Sequence, residues 1–313
     1  MILIYSSVAA IIPMLIYLFF IWKMDKYEPE PIKFVLIHFL WGAFGAVFFG
    51  ILGSSLLGMF SDILFNIPNE NLENSNITSI LFAPISEEFA KAVFLIFSSR
   101  SKKFDNATDG IVYGAAIGLG FGMTENFLYF ISYTENLTSW IYLVIIRSLF
   151  SAVMHAISTG IFGAILGLTK YWLDIFRLPI ILIALTFSML IHSFWNFSVS
   201  NNQTYLFGLL TMILLISIFI QTLKLAVKND KKLILKEIDD EIQNNFLPEQ
   251  AKMFFINKID IDRTHNNRKI LNMFVSLAFS KIKFKKSKGN LKEYYYNEIL
   301  YYRNALKNFF EII

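Results

Sequence analysis

The segment ILFAPISEEFAKAVFLIF, residues 80–97, sets Glu87, Glu88 and Lys91 in the middle of an otherwise apolar run. Such a run reads as a membrane helix, because a hydrocarbon core of about 30 Å needs about 20 apolar residues per crossing. An ionisable group near the bilayer centre costs on the order of 2.5–3.5 kcal/mol by insertion scales, so each of these needs a partner or a function. Spacing suggests both. On a helix Glu87 and Lys91 stand at i, i+4 with the acid on the favourable N-terminal side, and their side chains can pair. Glu88 points about 100° away. One carboxylate can thus be held ionised by Lys91 while its neighbour faces a bundle interior, the arrangement a general base or acid needs. Pro84 removes a backbone donor just before the pair, so the helix begins or kinks there and leaves room for water.

The rest of the chain fits a membrane frame. Of its 313 residues 55% are hydrophobic and 17% charged, with a mean hydropathy of +0.52, far from the balance of a soluble domain. Cysteine is absent, which excludes disulfides, thiolate nucleophiles and Cys-ligated metals and leaves any chemistry to Glu, Asp, His, Lys, Ser or Tyr. Seven apolar runs predict an all-α, polytopic helix bundle: Leu3 to Trp22, Phe34 to Phe60, Ile80 to Phe97, Ile111 to Tyr133, Trp140 to Leu168, Leu178 to Val199 and Tyr205 to Val227. The first has no basic residue before it and no small-residue cleavage site after it, so it reads as a retained anchor. Lys23, Lys26 and Lys33, then Arg100, Lys102 and Lys103, then Lys170 and Arg177 fall in alternate loops. The opposite loops carry Asp62, Glu70, Glu73 and Glu135 without a cation. By the positive-inside rule the N-terminus is outside and the C-terminus cytoplasmic.

Three other runs also carry polar groups that lipid alone would not tolerate: Glu125 and Asn126 in the fourth, His155 in the fifth, His192 and Asn196 in the sixth. His192 and Asn196 are i, i+4 and share a face. Counted at about 1.5 Å per residue from the expected outer ends, Glu88, Glu125 and His192 all fall at roughly 10–15 Å depth, although their helices run in opposite directions. Gly114, Gly118 and Gly122, and likewise Gly163 and Gly167, recur every fourth position, a spacing that lets helix backbones approach and polar groups on neighbours meet.

Four segments together resemble the PrsW family of bacterial intramembrane proteases, grouped with the type II CAAX prenyl proteases. MDKYEPEP, residues 24–31, resembles the family's acidic, proline-containing loop after the first span. SEEFAK is similar to its E-E-x-x-K signature at Glu87, Glu88 and Lys91; FGMTEN to F-x-x-x-E-N from Phe121; MHAISTGIFG and IHSFWN supply the two histidines. The resemblance implies peptide-bond hydrolysis within the bacterial inner membrane. Glu87 or Glu88 would activate a water, His192 with Asn196 would donate to the oxyanion, and Glu125 would hold the water or shape the site. His155 completes the catalytic set, with Lys91, Phe121 and Asn126 in support. Members of this group are described both as glutamate proteases and as metalloproteases, so zinc or no cofactor are both open; a bound metal would take Glu88, Glu125, His155 and His192, although no H-E-x-x-H helix is present. The implied partner is a membrane-protein substrate, by analogy an anti-sigma factor or another single-span regulator; no nucleic-acid motif is present. A proton-coupled carrier would also use membrane Glu and His, but the expected inverted repeat is not visible. A non-catalytic scaffold or immunity-like protein would tolerate Glu→Gln changes.

The runs end at residue 227, and residues 228–313 form a separate basic helical region with 17 Lys or Arg against 11 Asp or Glu. KKLILKEIDDEI and KILNMFVSLAFSKIKF have helical spacing, and KIKFKKSKGN offers either an anionic-lipid contact or an ordinary solvated face. Tyr294 to Tyr296 read as core.

Overall fold

The computed structural model describes residues 2–65, 77–132, 136–259 and 265–312. Glu70, Glu73 and Glu135 lie outside the described residues, as does the side chain of Asp62. Among the described residues all regular structure is helical.

The chain divides into two compact units, residues 1–25 with 30–223 and residues 26–29 with 224–313. In the first, every expected apolar run forms a helix. These are α1 (Ile2–Met24), α2 (Ile32–Leu40) continued through a π-turn at Trp41–Ala46 into α3 (Val47–Phe65), α4 (Ala83–Ser98) entered through a π-turn at Thr78–Phe82, and α5 (Ala107–Ser132). Then follow α6 (Leu137–Ile146), joined by a π-turn at Arg147–Ser151 to α7 (Ala152–Leu168), α8 (Asp174–Val199) and α9 (Asn202–Gln243). Among the described residues five stretches are long and apolar enough to cross a membrane: Ile2–Met24, Ile32–Ser61, Leu137–Leu168, Asp174–Val199 and Asn202–Gln243. The two further expected spans form helices but fall short of that measure. Glu87, Glu88 and Lys91 charge α4, while glycines and the acids Asp109 and Glu125 dilute the apolarity of α5.

Helix α5 is the hub of this unit. It is buried without interruption from Thr108 to Gly122, with α1, α2 and α7 packed around it and α4 set against α3 and α8. Its close fit to α7 requires glycine: a Cβ on Gly110 would lie 1.9 Å from the Gly163 carbonyl oxygen, and one on Gly118 2.1 Å from that of His155. The outward faces carry Leu3, Phe19, Phe44, Phe48, Leu178 and Ile183, all exposed, as lipid-facing helices should.

The second unit contains the end of α9 with α10 (Gln250–Ile259), α11 (His265–Lys286) and α12 (Asn290–Ile312). Phe255, Phe274, Ile234, Ile238 and Leu306 form its core together with Tyr27. Of the three consecutive tyrosines read as core, only Tyr295 is buried; Tyr294 and Tyr296 are exposed. The basic segment at the end of α11 is partly neutralised, Lys281 lying 2.7 Å from Asp240 and 2.5 Å from Glu241, and Lys285 2.6 Å from Glu237.

Candidate active site

Four helices of the first unit bring Glu87, Glu88, Lys91, Glu125, His155 and His192 into one continuous polar network. Pro84 occupies the first turn of α4, where its missing donor is harmless, and the next turns present the two carboxylates. Lys91 pairs with Glu88 at 2.7 Å, an i, i+3 contact, and not with Glu87 as the i, i+4 spacing predicts. The correction follows from packing: Glu88 and Lys91 both point into the bundle, 2% and 0% exposed, and a buried ammonium needs an anion in the same dry space. The aromatic face of Phe121 lies 3.9 Å from that ammonium.

Glu88 is the anchor. It accepts from Lys91 and, on α7, from Ser158 at 3.2 Å and Thr159 at 3.4 Å; His192 on α8 reaches it through Nδ1 at 3.1 Å. An ionised carboxylate only accepts, so His192 Nδ1 carries the proton and Nε2 keeps its lone pair. His155 is fixed in the same way. Its Nδ1 lies 2.9 Å from the Lys91 ammonium, which can only donate, and its Nε2–H therefore donates to Glu125 at 2.8 Å. Arg147 holds Glu125 from the other side at 2.8 Å. The two imidazoles meet edge to face, ring centres 4.6 Å apart.

Glu87 is the exception. Its buried Oε2 accepts no hydrogen bond and stands 3.7 Å from His192 Nε2. At 3.7 Å the two atoms are too far apart for a direct hydrogen bond, and a carboxylate oxygen facing an imidazole nitrogen at that distance suits a shared water, proton or cation. Ligand atoms of Glu87, His155 and His192 lie within 4.8 Å of one another, a Glu/His/His donor set of the kind that catalytic zinc takes with one position open. Two ligands on a tetrahedral zinc at about 2.0–2.1 Å stand about 3.3 Å apart. Glu87 Oε2 and His192 Nε2 therefore fit a metal, whereas both nitrogens of His155 are engaged by Lys91 and Glu125, so His155 joins such a set only if Lys91 gives up the Nδ1 contact; in the set Glu88, Glu125, His155 and His192 the two carboxylates are ion-paired with Lys91 and Arg147.

The remaining expected residues lie around this centre. Asn126 is fully buried and accepts from Arg147 Nε at 3.0 Å. Asn196 donates to the Ser79 carbonyl at 2.7 Å. A cavity of about 230 Å³ is lined by Glu125, His155, Arg147, Tyr129, Trp195 and Asn196, among others. Ser158, Thr159 and Arg147 were not anticipated. The hydroxyls carry no distinctive signal, but Arg147 is a cation inside an apolar run and was detectable on the same criterion as Lys91.

Comparison with known proteins assigns a family to most of the chain. Residues 30–222 match the family described as PrsW family intramembrane metalloprotease. The chain is 30% identical to Protease PrsW of Oceanobacillus iheyensis over 71% of this chain and 95% of that protein. Identity to Protease PrsW of Bacillus subtilis is 28% over 64% of this chain and 86% of the relative. A shorter stretch, 41% of this chain and 51% of the other, is 36% identical to the Clostridioides difficile protein of that name. No solved structure matches.

Proposed function

The chain belongs to the PrsW family of intramembrane metalloproteases, and from that premise we propose that it hydrolyses a peptide bond of a membrane-embedded protein, with Glu87 as the general base. The observation that carries the assignment is the bare Glu87 Oε2 beside His192 Nε2. Glu88 is saturated with donors and holds Lys91 and His192 in place; Glu87 alone of the two has a lone pair to spend on a water proton. Proton abstraction by Glu87 lets the water oxygen bond to the scissile carbonyl carbon, and the same carboxyl then returns the proton to the leaving amine nitrogen. Asn196 has one amide hydrogen on Ser79 and a second to offer the developing oxyanion. His192 does not serve that purpose while its only proton is on Glu88. Glu87 and His192, with His155 once Lys91 releases its Nδ1, would hold a zinc ion, which when bound would supply Lewis acidity at the carbonyl and lower the pKa of water; Glu87 would then be a ligand and not the base.

Helices α1 to α9, with α2–α3 and α6–α7 each continuous through a π-turn, are read as seven crossings of the bacterial inner membrane, N-terminus outside and residues 228–313 cytoplasmic, α4 and α5 tolerating their charges because these face the bundle interior. The substrate class is a single-span regulatory protein such as an anti-sigma factor. Cleavage of a tagged single-span substrate in membranes tests the reading: Glu87→Gln lowers the rate at least about a hundredfold, the usual worth of a general base, while the variant still accumulates as folded protein. Normal cleavage by a well-folded Glu87→Gln variant would sink it.

A further inference from the structure

Beside the hydrolytic centre lies the cavity of about 230 Å³, too small for the ligands of ordinary small-molecule pockets, which occupy about 300–1,000 Å³, but equal to several waters at about 30 Å³ each. Its lining is half polar in kind. Glu125 and His155 belong to the catalytic network, Tyr129 and Trp195 give aromatic walls, and Asn196 and Arg147 bring donors. Arg147 sits at a π-turn, a local widening of the helix often found at functional sites. Its guanidinium is held on three sides: Nη2 is 2.8 Å from Glu125, Nε donates to Asn126 at 3.0 Å, and its plane lies 3.6 Å from the centre of the Tyr129 ring. Yet Nη2 is buried without a well-directed hydrogen bond. A guanidinium has five N–H donors, and this one has unspent donors in a polar cavity one residue away from His155 through Glu125.

We propose that this cavity is a substrate subsite, receiving one bulky residue of the bound peptide next to the scissile bond, and that Arg147 donates to a backbone carbonyl of that residue. A transmembrane substrate unwound for cleavage exposes carbonyls that lipid cannot satisfy, and a rigid, immobilised donor fork meets that need at little entropic cost. The aromatic walls accept an apolar or aromatic side chain. The inference rests on the protease reading above.

The test is steady-state cleavage of one tagged single-span substrate by the full-length protein in membranes. Arg147→Lys keeps a cation beside Glu125 but loses the fork; Val199→Trp, on the exposed rim of the cavity, fills it from outside. Val199→Trp is expected to raise KM about tenfold and to leave kcat within about threefold, the pattern of lost uniform binding; Arg147→Lys, which also touches Glu125, is expected to raise KM at least about tenfold, roughly the effect of one hydrogen bond to a charged group. Replacing a bulky substrate residue near the cut by glycine should raise KM for the wild type and shrink the Val199→Trp defect. Unchanged KM in both variants, with wild type active and Glu87→Gln inactive, would overturn the subsite and leave the protease reading standing; cleavage by Glu87→Gln would overturn both.

Discussion

At the residue scale the site is a chain of enforced protonation states. Lys91 can only donate and Glu88 can only accept, so between them they fix which nitrogen of each histidine carries its proton. Removing one member leaves the other charge uncompensated in a dry interior. Lys91→Met is therefore expected to destabilise the protein by about 3–5 kcal/mol, visible as a fall in thermal midpoint and in membrane yield. Glu87→Gln, whose Oε2 accepts nothing, should leave both nearly unchanged. Equal destabilisation by the two substitutions would show that Glu87 is as structural as Glu88. The sequence made the participants legible, since a charge in an apolar run announces itself, but not the pairing. Helical spacing allowed Lys91 either Glu, and only the direction of the bundle interior selected Glu88.

At the scale of elements, the contact of α5 with α7 decides whether Glu125 reaches His155. A methyl group on Gly118 would meet the His155 carbonyl oxygen 2.1 Å away, while one on Gly58 would meet nothing within 4 Å. Gly118→Ala is thus expected to push the helices apart, lower the thermal midpoint and cut cleavage at least tenfold by weakening the 2.8 Å bond between Glu125 and His155. Gly58→Ala, in a helix interior, should be neutral or stabilising by up to about 1 kcal/mol. If Gly118→Ala cleaved at the wild-type rate, this helix contact would not be what positions the acid. Every helix of the first unit was foreseeable from apolar runs, and the glycine spacing foretold the close approach. The π-turns were not, because a one-residue widening leaves no mark on hydrophobic periodicity. Beyond the seventh run α9 continues unbroken to Gln243, through the segment KKLILKEIDDEI whose helical spacing was legible and whose Ile234 and Ile238 lie in the core of the second unit.

At the scale of the whole molecule the proposed site belongs to the first unit, and the second is a helical body with its own apolar core and several ion pairs. A hydrogen bond from Lys281 holds the Asp240 carboxyl below its ordinary value, against the opposing effect of burial. A group with a depressed folded pKa contributes stability above its unfolded pKa and loses it as pH falls through the folded one. The second unit, followed with a Phe254→Trp reporter, should therefore weaken as pH drops below the ordinary carboxylate range. Asp240→Asn should remove that dependence, and an unchanged acid limb in the variant would assign the loss to another carboxylate. For the first unit the decisive matter is whether Glu87 of α4 and His192 of α8 face one another in the membrane. The chain has no cysteine, so Glu87→Cys with His192→Cys can be probed by a short bis-maleimide in native membranes after a protease site is inserted between α7 and α8. Facing residues give fragments that stay linked, whereas Gly58→Cys with His192→Cys gives fragments that separate; separation of the Glu87 and His192 pair, with both thiols shown to be reactive, would mean that the two never share a site.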